Sequence, residues 1–279
     1  VDVTGISGRI RVWRDSPQGL PIDTPVFQTG GTQTLNLANP QAGVWEVDVE
    51  VSRTSTVSPA TFTITATIQG VDISPSPWVV DPTAVGTSYG QVMSFTNRFG
   101  AFTGGAVGTP LGSAFRARPS ISAGGADQEY AVTVPAGSTS ISASIGNPSD
   151  PASDLDLFLF DCHTGSCVLA ASSTGSTATE SVSVANPAAG AWKVVVNPFA
   201  VPAGSTAYDV FDVVANPAFG SISVTDPPAL HGTGDSWTAA ATAVAAAAPD
   251  SGRFLQGFVR VQSGTTVLGS SEVQLRNVG

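Results

Sequence analysis

Few residues in this 279-residue chain have the types and spacing for chemistry. Gly86-Thr87-Ser88-Tyr89-Gly90 has the Gly-x-Ser-x-Gly spacing of a nucleophile elbow, where a serine sits on a sharp strand-to-helix turn. The residues that follow, 91–97, read as strand, which is the wrong element. A serine nucleophile also needs a histidine base. The two histidines are His163, in a short polar loop that reads as exposed, and His231, in the turn-rich Pro227-Pro228-Ala229-Leu230-His231-Gly232, which reads as a surface loop. Neither context supports a general base.

Carboxylates offer a second chemistry. On an extended strand Asp154 and Asp156 project to one side while Leu155 and Leu157 project to the other. With Asp150 and loop carbonyls they could hold Ca²⁺ through oxygen ligands; the competing reading is a solvated strand entry where aspartates cap turns. Cys162 and Cys167 enclose His163-Thr164-Gly165-Ser166, a spacing that suits a disulfide across a hairpin mouth, worth about 2 kcal/mol on the chain-entropy estimate. The rival readings are two free thiols, or a metal pair with His163 that would still need a fourth ligand. Trp13, Trp45, Trp78, Trp192 and Trp237, with Tyr89, Phe27, Phe95, Phe99 and Phe102, could stack on carbohydrate if exposed. Repetition of Trp45 at Trp192 favours burial in cores instead.

That repetition is the main guide to the elements. Leu35 to Val49, containing Asn39-Pro40-Gln41-Ala42-Gly43-Val44-Trp45, recurs as Val182 to Val196, containing Asn186-Pro187-Ala188-Ala189-Gly190-Ala191-Trp192, at an offset of 147. Alternating apolar residues on both sides of a Pro- and Gly-containing turn predict a β-hairpin, with Trp opening the return strand. Trp45, Val47 and Val49 share one face and Glu46, Asp48 and Glu50 the other, while Val195 breaks the alternation and predicts burial on both faces. The offset extends upstream, where Ile10 and Val12 fall on Leu157 and Leu159, and downstream, where Phe62 and Ile64 fall near Tyr208 and Val210. Tyr130 to Ile145 predicts two further strands with no counterpart in the first copy, which is expected to lack its opening strands. Weaker echoes pair Gly86-Thr87-Ser88-Tyr89 with Gly234-Asp235-Ser236-Trp237, and Leu111-Gly112-Ser113 with Leu268-Gly269-Ser270. The first echo makes Ser88 part of a repeated scaffold.

Composition agrees. Charged residues make up 11% of the chain, with Gly 30 and Pro 20, a profile of short strands and turns and not of helices with charged faces. The fold class expected is all-β: duplicated jelly-roll-like β-sandwich units, each followed by a smaller Ig- or fibronectin III-like β-segment. Ala239 to Ala248 has weak helical preference, but the repeat favours strand. The division expected is 1–69, a first sandwich; 70–118, a fibronectin III-like segment; 119–216, a complete second sandwich; and 217–279, a second fibronectin III-like segment. A net charge of −10 opposes nucleic acid and anionic membrane as partners, and no run is apolar for the ~20 residues of a helical span. The start at Val1-Asp2-Val3 reads as a processed or excised piece.

Tyr130-x-Val132-x-Val134-Pro135-Ala136-Gly137, then Asp154-Leu155-Asp156-Leu157-Phe158-Leu159-Phe160-Asp161, then Asn186-Pro187-x-Ala189-Gly190-x-Trp192, then Tyr208-Asp209-Val210 resembles the pre-peptidase C-terminal domain. That family is a jelly-roll-like sandwich appended to secreted bacterial proteases. The resemblance spans about 120–215, with a degraded copy over about 1–69. The segments 70–118 and 217–279 resemble fibronectin III-like strands found after subtilisin-like catalytic domains, and the whole resembles the C-terminal region of a secreted actinobacterial subtilase. Gly86-Thr87-Ser88 also resembles a subtilisin nucleophile segment. The subtilisin order places Asp and His before Ser, whereas both histidines here follow Ser88. The resemblance implies a noncatalytic, extracellular region serving stability, substrate positioning or attachment. Its partners would be an upstream protease domain of the same polypeptide and a protein or polysaccharide substrate. Calcium is the one cofactor it suggests, since some relatives of the sandwich bind it. The alternatives are an extracellular polysaccharide- or protein-binding module and an independent serine hydrolase.

Overall fold

The computed structural model describes residues 70–279 apart from Phe99 and, before them, five strands. These are β1 (Asp2–Thr4), β2 (Gly8–Arg14), β3 (Thr32–Thr34), β4 (Trp45–Val51) and β5 (Thr63–Thr65). The chain forms two compact units, Val1–Gln69 and Gly70–Gly279. Expectations for Trp13, Phe27 and Phe99 as stacking aromatics lie outside the described side chains.

In the first unit β2 pairs antiparallel with β4, placing Ile10 opposite Val49 and Val12 opposite Val47. In the second, β14 (Asp154–Asp161) pairs with β17 (Gly190–Ala200), placing Leu157 opposite Val196 and Leu159 opposite Val194. Adding 147 to one register produces the other, so the sequence duplication is also a duplication of strand register. A one-residue slip would turn each apolar set to the wrong face, which is why the register is held. The first unit also has the sheet order β3-β1-β5. It parallels β16 (Glu180–Ala185), β13 (Ser140–Gly146), β19 (Asp209–Ala215) of the second unit, where the order is β16-β13-β19. β1 thus takes the place of β13, although the stretch 130–145 has no counterpart at the 147 offset.

The remaining strands of the second unit are β6 (Val71–Ser74), β7 (Trp78–Val80), β8 (Ser88–Asn97), β9 (Phe102–Gly108), β10 (Gly112–Ala117), β11 (Ser120–Ser122), β12 (Gln128–Val134), β15 (Val168–Ser173), β18 (Ser205–Ala207), β20 (Gly220–Thr225), β21 (Ala229–His231), β22 (Ser236–Ala245), β23 (Phe254–Ser263) and β24 (Thr266–Leu275). A single 3₁₀ turn, Pro217–Phe219, is the only helical element among the described residues. The fold is all-β. The jelly-roll sheet β12-β17-β14-β15 faces β16-β13-β19 across a core of Leu155, Leu157, Leu159, Trp192, Val194 and Tyr208. Val195 is also buried, as its break in alternation predicts; it stands opposite Phe158 on β14.

The segments 70–118 and 217–279 differ from the consecutive division read from sequence, because they build one sandwich together. β8 pairs with β22 along its length, Ser88 opposite Val244 and Ser236 opposite Thr96. Gly86 and Gly234 both take positive φ (78° and 86°), and each donates its N–H to the carbonyl at the far end of the other strand, Ala245 and Asn97 respectively. The weak sequence echo is therefore two halves related by an approximate two-fold, sharing a core that includes Met93, Phe95, Leu111, Ile222, Ala243 and Leu255. The alanine run is strand as far as Ala245, the end of β22, with Ala239, Ala241, Ala243 and Ala245 buried between the sheets. Pairing with β20 on one side and β8 on the other, with one face in the core, outweighs the helical preference of alanine.

The jelly roll is inserted between those halves and joined to them by β10. That strand pairs with β19 on one side and β23 on the other, making one continuous sheet β16-β13-β19-β10-β23-β24-β7. At the seam Arg253 forms a buried ion pair with Asp212 of β19, the two side chains 8% and 1% exposed. The same guanidinium donates to Ser113 Oγ (2.7 Å) and to the Ser113 carbonyl (3.0 Å) on β10.

Candidate functional site

The alternation Asp154-Leu155-Asp156-Leu157-Phe158-Leu159-Phe160 places every leucine in the core and turns Asp154, Asp156, Phe158 and Phe160 outward. The outer face of β12-β17-β14-β15 therefore carries a row of two carboxylates and two aromatic rings. Phe158 and Phe160 lie 6.5 Å apart by ring centroid. Lys193, opposite Phe160 on β17, sits 5.8 Å over that ring and pairs with Glu129 of β12 at 2.8 Å. Leu169 of β15 flanks Phe160 on the other side and is half exposed.

The three candidate calcium ligands do not converge. Asp150 accepts hydrogen bonds from Ala152 N (3.1 Å), Ser153 Oγ (3.1 Å) and Ala203 N (3.1 Å), with the Ala152 amide foremost in holding its carboxyl below the usual range. It is a turn cap. Asp154 and Asp156 share a face as expected. Burial pushes the Asp156 carboxyl above its ordinary range, and the negative charges of Asp154 and Glu180 add to the rise. Asp154 Oδ1 is buried without a hydrogen-bond partner among the described residues. Glu180 is spent on Ser173 Oγ and on Gly175 N (2.9 Å). Among the described residues no three His, Cys, Asp or Glu side chains form a group able to hold a metal. Two carboxylates alone would leave most of the six to eight oxygens that Ca²⁺ takes to backbone carbonyls and water.

Cys162 and Cys167 are joined as a disulfide, closing the loop after β14. Inside it His163 Nδ1 meets Asp161 Oδ1 at 2.7 Å. Burial pushes Asp161 up, but the His163 amide and ring outweigh it and hold the carboxyl low. The loop rests on the hairpin that carries Trp192. Gly190 has φ +135°, and a Cβ there would stand 2.8 Å from the His163 Cβ. Trp192 is buried and donates Nε1–H to the Ala188 carbonyl at 2.9 Å, tying the turn to the return strand.

Ser88 begins strand β8 and is not on a strand-to-helix elbow. No hydrogen bond joins it to His163 or His231 among the described residues. His231 is not a surface-loop residue. It lies on β21 opposite Phe102, is 7% exposed, and stacks on Trp237 with centroids 3.7 Å apart. Its Nε2 has no hydrogen-bond partner among the described residues. The aromatic residues that could have stacked on carbohydrate form no exposed platform among the described residues: Trp78, Phe95, Phe102 and Trp192 are buried, and Trp45, Tyr89 and Trp237 are half-buried. Phe158 and Phe160 are half-buried on the outer sheet face, and Phe199 is 70% exposed. The period-2 pattern of β14 was the signal for the first two.

A polar cavity of about 570 Å³ opens beside the seam, lined by Asp81, Arg116, Asp250, Arg253, Arg276 and Asn277 among others. Its arginines are engaged: Arg116 with Glu272 at 3.1 Å, Arg253 with Asp212, and Arg276 with Gln274 Oε1 at 2.9 Å from Nε.

Comparison with known proteins adds sequence likeness. Pyrolysin from Pyrococcus furiosus is 29% identical over 185 residues, 64% of this chain and 13% of pyrolysin, so the chain spans a small part of that relative's length. Two solved structures of glycosyl hydrolase family 2 members from Bacteroides cellulosilyticus align at 9% identity. One covers 53% of this chain and 28% of its own with a TM-score of 0.24, the other 98% and 35% with 0.20; scores this low carry no argument. Residues 129–198, which hold β14, β15, the disulfide and most of β17, match the bacterial pre-peptidase C-terminal domain.

Proposed function

We propose that this chain is a noncatalytic C-terminal accessory region of a secreted subtilisin-like serine protease, serving stability, substrate positioning or attachment of a protease domain upstream in the same polypeptide. The observation that carries the reading is the match of 129–198 to a noncatalytic domain family, supported by the likeness to pyrolysin, a subtilisin-like protease. Supporting it from the other side, Ser88 and His231 are both built into strands, His231 against Trp237 and Phe102, with no nucleophile–base contact between them. An extracellular setting accords with the disulfide. The chain should neither react with a fluorophosphonate probe nor cleave peptide or ester substrates. Activity lost on Ser88→Ala would overturn the reading in favour of an independent hydrolase.

A second reading, an extracellular polysaccharide- or protein-binding module, is favoured by the Phe158–Phe160 pair on an outer sheet face. Retention on insoluble polymers, lost on Phe158→Ala, would support it. Calcium belongs to the proposal only through Asp154 and Asp156, whose like charges a cation would neutralise.

A further inference from the structure

We propose that the free edge of β15 receives an extended, cationic polypeptide segment as a fifth strand of the β12-β17-β14-β15 sheet. The inference rests on the reading of the chain as a noncatalytic region and specifies what its jelly roll would hold.

The edge itself is the first observation. β15 pairs only with β14 among the described residues, so half its N–H and C=O groups face outward. Natural sheets blunt such edges with charge, proline, brevity or a covering segment. The other long sheets of this unit do so: β12 carries Glu129, β16 the inward Glu180, β6 Asp72, and β7 is three residues long. β20 is covered, its Ile222 N–H donating to the Thr109 carbonyl and its Gly220 carbonyl accepting from Leu111 N–H. β15 reads Val-Leu-Ala-Ala-Ser-Ser, with no charge and no proline, and a bulge opposite Leu159/Phe160 as its only irregularity. Val168 is 65% exposed and Leu169 50%, an apolar display on an edge that none of these devices guards.

Charge identifies the occupant. The face that β15 extends bears Asp154 and Asp156, neither in an ion pair among the described residues, while its one base, Lys193, is already paired with Glu129. A strand with alternating apolar and Lys or Arg side chains would turn its cations to the outer face, toward the aspartates two strand spacings or ~10 Å away, and its apolar residues to the opposite face, beside Val168 and Ala171. A second copy of the chain would bring the same carboxylates and a net charge of −10 against themselves.

The geometry also supplies a selective block. Cys162 N–H donates to the Ala191 carbonyl of β17, so alternation along β14 turns Phe158 toward β17 and leaves the facing Ser172 with its N–H pointing out of the sheet. Ser172→Pro removes an outward donor without removing a ladder bond. Leu169→Lys places a like charge against a cationic strand at an exposed site.

The test uses the full chain and a labelled, end-capped octapeptide of alternating valine and lysine, followed by fluorescence anisotropy at low salt. Saturable binding is expected, weakened about tenfold or more by each variant and undetectable for the alternating valine–glutamate peptide. Both variants should melt within a few degrees of the parent; if Ser172→Pro does not fold, Leu169→Lys alone decides. No binding up to ~1 mM peptide overturns the proposal, as does binding equal in parent and variants. Self-association abolished by Leu169→Lys without peptide uptake also overturns it, since the occupant is then a second copy. Peptide recovered intact by mass spectrometry keeps the noncatalytic reading, whereas cleaved peptide removes that reading and leaves the edge to be judged on the binding alone.

Discussion

Replacing Arg253 by methionine tests whether the jelly roll is fastened to the flanking sandwich through a buried charge. In the parent the guanidinium satisfies Asp212 on β19 and two oxygens of Ser113 on β10, and both charged side chains are nearly excluded from solvent. Methionine preserves the stem but leaves Asp212 buried with neither oxygen paired, since Oδ2 already lacks a partner among the described residues. Losing one member of a buried pair costs about 3–5 kcal/mol. In a unit of this length each kcal/mol lowers the melting temperature by about 2–4 °C, so Arg253→Met should lower it by about 6–20 °C. Urea denaturation of the full chain measures the loss directly. Replacing both partners, as Arg253→Met with Asp212→Leu, should recover most of it, because an apolar pair of similar volume removes the desolvation cost of both ions. The pH dependence has a defined sign. Burial raises the Asp212 carboxyl above its ordinary range even against the Arg253 charge. Without Arg253 the rise is larger, so the native state takes up its proton before the unfolded chain does, and the deficit shrinks as pH falls through the folded pKa. A loss under about 1 kcal/mol, or a double variant no better than the single, would refute the idea that this pair secures the seam.

Two further outcomes follow from the hairpin and the outer face. Gly190→Ala should destabilise by about 1–3 kcal/mol in urea melts, because φ +135° is closed to an L side chain and its Cβ would meet His163; an unchanged midpoint would show that the disulfide loop does not rest on the turn. Asp156→Asn should stabilise slightly, by under about 1 kcal/mol given its partial exposure, with the gain growing as pH rises past the ordinary carboxylate range and complete above the raised folded pKa of Asp156, where the parent carries the ion that burial, Asp154 and Glu180 disfavour. If Asp154 and Asp156 hold Ca²⁺, saturating calcium should raise the parent's melting temperature and not the variant's; no rise in either removes calcium from the proposal.

What the sequence discloses is what repeats or alternates. The 147 offset carries strand register, since Ile10–Val49 and Leu157–Val196 are equivalent pairs, and the period of two in 154–160 sorts leucine from aspartate and phenylalanine. Features made by residues distant in sequence leave no such trace. His231 lies among prolines and glycine, yet antiparallel pairing with Phe102 and stacking on Trp237 bury it. The shared core of 70–118 and 217–279 was hinted at by two short echoes, but pairing of β8 with β22 depends on closing a loop that contains the whole jelly roll. Arg253 and Asp212 are 41 residues apart and have no periodic relation. Asp150 falls near Asp154 and Asp156 in sequence, but its oxygens are taken by the adjacent Ala152 amide and by the Ala203 amide 53 residues away, which spacing does not encode.

The insertion assigns different duties to the two jelly-roll sheets. β16-β13-β19 continues through β10 into the flanking sandwich, and its inner edge is consumed by that junction. Any ligand that distorted this sheet would strain the buried pair and the shared strand together. The opposite sheet, β12-β17-β14-β15, has no hydrogen-bonded continuation among the described residues, and it carries the aspartates, the phenylalanines, the disulfide loop and the uncharged edge. Attachment and recognition are therefore separated across one core of leucines and valines. Weakening the seam by Arg253→Met should lower stability without altering peptide affinity at temperatures where the chain stays folded, while Leu169→Lys should do the reverse. Loss of both properties from either substitution would mean that the two sheets do not act independently.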